Sequence, residues 1–176
     1  MLQPTGPMVK GLKLLKTPEE NLLICQVTLY GTPREAPDLA IRLQAALSDY
    51  FDGLPTGLSG FPLDLADFTP FRKAVTEVVQ AIPAGQTLTY GEVARRAGRP
   101  GAARAVGQVM ARNPFPLLVP CHRVLGAKGQ LGGFSAGGPE VKARLLELER
   151  TGEPVTVSLD IAIQGPGWGC LDHHHH

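Results

Sequence analysis

Cys121 stands in the string Pro120-Cys121-His122-Arg123-Val124, at the end of the apolar run Phe115-Pro116-Leu117-Leu118-Val119. A thiol beside groups that can carry positive charge is a candidate nucleophile, because positive neighbours favour the thiolate and the thiolate attacks. Pro120 has a fixed φ and no N–H, so it sets the backbone just before the thiol. The same string also fits a small packed thiol that happens to precede a basic dipeptide. Neighbouring side chains in a turn or strand point apart, so adjacency alone leaves both readings open.

Composition narrows the setting. The chain has 176 residues, 43% of them hydrophobic and 19% charged, enough for one domain or two small ones with a real core. It has no apolar run long enough to span a membrane. It shows no basic region followed by an apolar stretch near Met1, so no secretory leader is expected. Cys25, Cys121 and Cys170 are odd in number and far apart, which fits neither a disulfide framework nor a paired zinc motif. A reducing, cytoplasmic setting is expected, with no metal. His173 to His176 read as an affinity tag and carry no metal argument. The formal net charge of +1 conceals three blocks: −3 over residues 1–68, +7 over 69–150 and −3 over 151–176. The basic block contains Cys121. It suits a polyanion such as nucleic acid, or is simply an arginine-rich solvated surface.

The elements that must position Cys121 follow from periodicity. Residues 9–15 and 21–30 read as strands, the second rich in branched and aromatic side chains. Cys25 lies in that strand as packing. Residues 37–51 read as a helix, with Leu39, Leu43, Ala46, Leu47 and Tyr50 at helical spacing. The Gly-, Pro- and Asp-rich stretch from Asp52 to Thr69 reads as a linker. Thr69-Pro70 is an N-cap followed by proline at the first helical position, opening a helix to about residue 82. Thr89 with Glu92 forms a capping-box pattern for a short helix to about Ala97. Gly98 to Gly101 is a tight turn, and Ala102 to Arg112 is a further helix. Helix, glycine-containing turn, helix is the helix-turn-helix pattern.

On the last of these helices, Ala102, Val106, Val109 and Asn113 share one face, and Arg104, Gly107, Gln108 and Ala111 the other. An arginine thus projects from a surface of small residues. Such a surface lets a backbone approach a groove closely, or lets two helices pack closely. Residues 126–138 form a glycine-rich loop that matches no phosphate- or dinucleotide-binding pattern. Pro139 starts a helix to about Arg150 with an inward stripe of Val141, Leu145 and Leu148. Glu149 lies about 80° from Val141, at the border of that stripe. It is either a half-buried, paired carboxylate or an ordinary surface glutamate. Residues 154–163 read as a strand.

Taken together, Ala102-Ala103-Arg104-Ala105-Val106-Gly107, Asn113-Pro114 and Pro120-Cys121-His122-Arg123-Val124 resemble the O6-alkylguanine-DNA alkyltransferase family. Tyr90-Gly91 and Lys142 to Glu149 extend the likeness, which covers residues 69–150. The resemblance implies an α+β protein. A small N-terminal β-sheet and helix domain of ribonuclease-H-like type, with its linker, would span 1–68. A mostly helical domain with the helix-turn-helix would span 69–165, followed by the tail and tag at 166–176. It implies direct-reversal DNA repair: an O6-alkylguanine is flipped out of duplex DNA and its alkyl group passes irreversibly to Cys121, once per molecule. His122 would take the thiol proton through a water and Glu149 would orient the histidine. Asn113 would couple the helix to the active-site turn, and Tyr90 would press on the phosphate and protonate the leaving guanine. Arg104 would fill the vacated stack, with Ala102, Ala103 and Gly107 along the minor groove. Met110, Val124, Phe134 and Ser135 would line the substrate pocket. Phe134 stands where many members have Tyr, and Ala136 where glycine is common, which bears on substrate range. No cofactor and a monomeric state are expected. The competing readings are a lesion-binding sensor that does not transfer, and an unrelated thiol hydrolase using Cys121 and His122.

Overall fold

The computed structural model describes residues 6–17, 22–129 and 138–168. Strands β1 (Met8–Lys16) and β2 (Leu23–Tyr30) pair antiparallel. Alternate residues of β2, from Leu23 through Cys25 and Val27 to Leu29, are buried. That is the period-two signature of a sheet with one face on a core. In β1 the buried set shifts from Val9 to Leu12 and Leu14, and a register irregularity between Val9 and Gly11 absorbs the slip. Without it, half the strand would turn its apolar side outward.

Helix α1 (Ala36–Phe51) lies against this sheet through Leu39, Leu43, Leu47, Tyr50 and Phe51, with Ala46 only half-buried. The stretch after it is not a free linker. Val9 and residues 62–64 exchange backbone hydrogen bonds, and Lys10 pairs with Asp64 at 2.5 Å. Turn-forming composition indicates that a segment is neither helix nor regular strand; it does not reveal that an edge strand will hold it.

Helix α2 (Pro70–Gln80) opens as expected, the Thr69 hydroxyl accepting from Arg72 N. A two-residue strand β3 (Leu88–Thr89) follows, which periodicity cannot register. Helix α3 (Tyr90–Arg96) carries the full reciprocal capping box between Thr89 and Glu92. Helix α4 (Ala103–Ala111) packs on α3 across a turn in which Gly98 and Gly101 have φ of 83° and 88°. Those left-handed conformations are why the turn needs glycine. Strand β4 (Val124–Leu125) pairs parallel with β3. Helix α5 (Gly138–Thr151) precedes strand β5 (Val157–Gln164).

The strand expected at 154–163 exists, and it pairs parallel with β2, giving sheet order β1-β2-β5. A segment from the far side of the basic block therefore completes the N-terminal sheet. Long-range strand pairing of this kind leaves no local sequence mark. No helix of the described residues is long and apolar enough to cross a membrane.

Candidate active site

The turn from Asn113 to Cys121 is held by its own backbone and by two amides. Asn113 is 8% exposed; its Nδ2 donates to Val119 O at 2.9 Å, and its Oδ1 accepts from Phe115 N at 2.9 Å. Gln80 of α2 donates to Leu118 O at 3.2 Å, and Cys121 N to Val119 O at 2.7 Å. Leu117, at φ 75°, is the one non-glycine residue in a left-handed conformation among those described. That geometry costs about 1–2 kcal/mol. Burial of its side chain, 2% exposed, returns about 2 kcal/mol, so packing can hold the bend. Cys121 opens a 3-10 turn, Cys121–Arg123, and is 1% exposed.

Beneath it lies a buried polar relay. His122 is fully buried, and its Nε2 sits 2.5 Å from Glu149 Oε2. Glu149 accepts only, so Nε2 carries the proton and Nδ1 is left as an acceptor. Nδ1 is buried and has no hydrogen-bond partner among the described residues. Burial pulls the imidazole below its usual pKa, outweighing the opposing pull of Glu149. The ring is therefore neutral near pH 7.

Glu149 is the most heavily bonded side chain of the site, with 2% of it exposed. Arg123 donates to both its oxygens at 2.9 Å, Tyr50 Oη donates to Oε2 at 2.6 Å, and Gly85 N donates to Oε1 at 3.3 Å. Burial alone would push the carboxyl up. The hydrogen bonds from His122, Arg123 and Tyr50 prevail and hold it well below the usual carboxylate range. The border position on the helix thus resolves in favour of a paired, buried carboxylate.

Of the basic neighbours that adjacency offers, Arg123 is not the one directed at the thiol. Arg123 turns its guanidinium away to Glu149 and to Ile82 O, at 2.7 Å. The cation whose field reaches the thiol is Lys142 of α5, 0% exposed, which donates to Val124 O at 2.7 Å. Burial pulls the Lys142 amine down and the charge of Cys121 partly offsets this. Helical spacing sets Lys142 about 100° from Val141, beside Glu149 at the border of the stripe, so period alone does not mark it as buried. Tyr50 did offer a signal: a tyrosine on an inward stripe must find a partner for its hydroxyl.

On the outer surface, Arg104, Gln108 and Ala111 of α4 are exposed, while Ala102, Ala103 and Gly107 are half-buried. A Cβ at Gly107 would meet nothing within 4 Å. Gly107 is therefore not required for close packing between helices, and the face around it is open to a partner, while Ala102 also packs against the core. Tyr90, half-buried, starts α3 directly after β3, whose pairing with Val124 and Leu125 brings it beside the Cys121–Arg123 turn. Met110 and Val124 are fully buried in the core. Phe134 and Ser135 lie outside the described residues.

Residues 70–151 match the family model for the DNA-binding domain of 6-O-methylguanine DNA methyltransferase. Among curated proteins, the chain is similar to methylated-DNA–protein-cysteine methyltransferases from three sources. The Methanosarcina acetivorans protein is 47% identical, covering 83% of this chain and 93% of the relative. The Methanothermobacter thermautotrophicus protein is 39% identical over 73% and 71%. The Mus musculus protein is 35% identical over 86% and 77%. Among solved structures, Mycobacterium tuberculosis OGT in complex with DNA matches with a TM-score of 0.62 at 34% identity, covering 84% of this chain and 95% of that one.

Proposed function

The chain belongs to the family of methylated-DNA–protein-cysteine methyltransferases, and from that premise we propose how its own residues carry the reaction. It acts on O6-alkylguanine in duplex DNA, by direct reversal of the damage. The observation that carries the proposal is the buried His122–Glu149 pair, set directly after Cys121 with the second imidazole nitrogen free to accept.

The O6 atom of a stacked guanine is out of reach, so the nucleotide must rotate out at a cost of a few kcal/mol. Arg104, projecting from the open face of α4, fills the stack in its place, with Ala102, Ala103 and Gly107 against the minor groove. The flipped base enters beside Tyr90, and the family resemblance assigns Met110, Val124, Phe134 and Ser135 to its pocket. The Cys121 proton passes through a water to His122 Nδ1, and Glu149 holds the resulting imidazolium by charge. The thiolate attacks the alkyl carbon. A sulfur–carbon bond forms as the carbon–O6 bond breaks, and its electron pair stays on guanine. Tyr90 protonates the leaving base. The product is a thioether with no hydrolytic route back, so each molecule acts once.

The chain divides at residue 68/69 into an N-terminal unit and an alkyl-transfer unit reaching residue 165, with β5 returning to the sheet of the first. The family match, which begins at residue 70, supports the boundary at 68/69. The reaction belongs in the cytoplasm, where thiols stay reduced.

The test is intact-mass analysis after incubation with a duplex carrying one O6-methylguanine. The expected result is one methyl in place of one hydrogen, mapped by peptide analysis to Cys121. An unchanged mass would overturn the proposal. A narrower prediction concerns Arg104→Ala. If the wedge offsets about 1–2 kcal/mol of unstacking, transfer from duplex DNA slows roughly tenfold. Transfer from single-stranded DNA, where little stacking must be broken, slows far less. Equal slowing on both substrates would remove the wedge role.

A further inference from the structure

Tyr50 lies on α1, outside the segment that matches the family's DNA-binding domain, yet its hydroxyl reaches the centre of the relay. We infer that Tyr50 is a positioning residue for alkyl transfer, holding the Glu149 carboxylate on His122 from the N-terminal unit. The inference rests on the transfer reaction proposed above.

Three donors converge on Glu149 Oε2: His122 Nε2 at 2.5 Å, Tyr50 Oη at 2.6 Å and Arg123 Nη2 at 2.9 Å. Tyr50 Oη is also 3.5 Å from His122 Nε2, so hydroxyl and imidazole share one oxygen side by side. Tyr50 is 6% exposed, so little water can substitute for it.

The backbone fixes this meeting. Gly53 and Gly152 lie three residues after Tyr50 and Glu149 respectively. A Cβ at Gly53 would stand 2.1 Å from Gly152 O, and the two glycines have φ of 80° and 75°. Val155 N also donates to Phe51 O at 2.8 Å. The C-terminal ends of α1 and α5 are thus joined backbone to backbone, one turn beyond the residues they present. The Tyr50 ring packs edge-on to Phe51 at 5.3 Å, a contact that phenylalanine would keep.

The hydroxyl draws negative charge from Oε2. Without it, the carboxylate would attract the imidazole proton more strongly and His122 would stay protonated to a higher pH. The other groups acting on the ring, Lys142 and Glu149 of α5 together with Arg123 of its own turn, keep their charges in such a substitution.

Tyr50→Phe is compared with the unaltered protein in single-turnover transfer from O6-methylguanine duplex across pH. The rate is expected to fall roughly tenfold near pH 7, its acid limb moving to higher pH while DNA affinity holds. Adding Tyr50→Phe to Glu149→Gln should slow transfer no further, because the hydroxyl acts through the carboxylate. His122 is the one histidine outside residues 173–176, so its ring nitrogen resonances can be followed directly. Its titration should move upward in Tyr50→Phe. An unmoved titration, or an unchanged rate and acid limb, overturns the inference; so do effects of the two substitutions that add in full. If the unaltered protein transfers nothing, the functional reading fails, and the His122 titration still decides the role of Tyr50.

Discussion

Cys121→Ser is expected to abolish alkyl transfer while leaving duplex binding as in the unaltered protein. The substitution changes one buried atom. Backbone bonds around it, from Cys121 N to Val119 O and from Arg123 N to Pro120 O, do not involve the side chain. The exposed face of α4 is untouched. What is lost is the nucleophile: a serine hydroxyl beside His122 lacks the acidity and polarisability by which a thiolate attacks carbon. Intact mass reads the first half of the prediction and a binding titration the second. A methyl gain that survives the substitution would assign the acceptor elsewhere. Cys25 is a poor alternative, since burial in β2 pushes its thiol up to about 12. A protein that binds the lesion tightly but gains no mass even with Cys121 present would instead be a sensor.

Glu149→Gln should be the most damaging substitution after that one, and it acts twice. Arg123 and His122 would lose the ionised carboxylate that both point into. Removing one partner of a buried pair destabilises by about 3–5 kcal/mol, because the other charge stays buried. A glutamine amide keeps the shape and one acceptor, which places the loss at about 3 kcal/mol. The imidazolium formed when His122 takes the thiol proton would also lose its counter-charge, slowing transfer on the order of a hundredfold or more. The pH dependence has a definite sign. The carboxyl is held well below its unfolded value near 4.3, so its contribution is complete at neutral pH and fades as pH falls below about 4.3. Denaturant unfolding at neutral and acid pH checks this. The gap between the unaltered protein and Glu149→Gln should narrow as pH falls, and a gap independent of pH would show that the carboxylate's charge is not what stabilises the fold.

Much of this site was legible before any coordinates. Thr69-Pro70 and the Thr89/Glu92 pair mark helix starts because caps are local chemistry within four residues, and both form as expected. The outward Arg104 follows from helical period alone. Glu149 could be placed only at the edge of a buried stripe, since period gives direction and not depth. Adjacency leaves the role of Arg123 open for a related reason: proximity in sequence does not give side-chain direction, and the 3-10 turn sends this side chain to Glu149.

The nucleophile string, the helix-turn-helix and the family are readable without a fold, because each is written in short-range spacing that a few residues carry. Tertiary structure alone decided that Lys142 would be the cation near the thiol, that β5 would close the N-terminal sheet, and that Tyr50 would reach Glu149. Those facts depend on segments tens of residues apart arriving at one place. The agents that bring them together are burial and backbone fit, as at Gly53 and Gly152. Both act on the folded surface as a whole and leave no periodic trace along the chain.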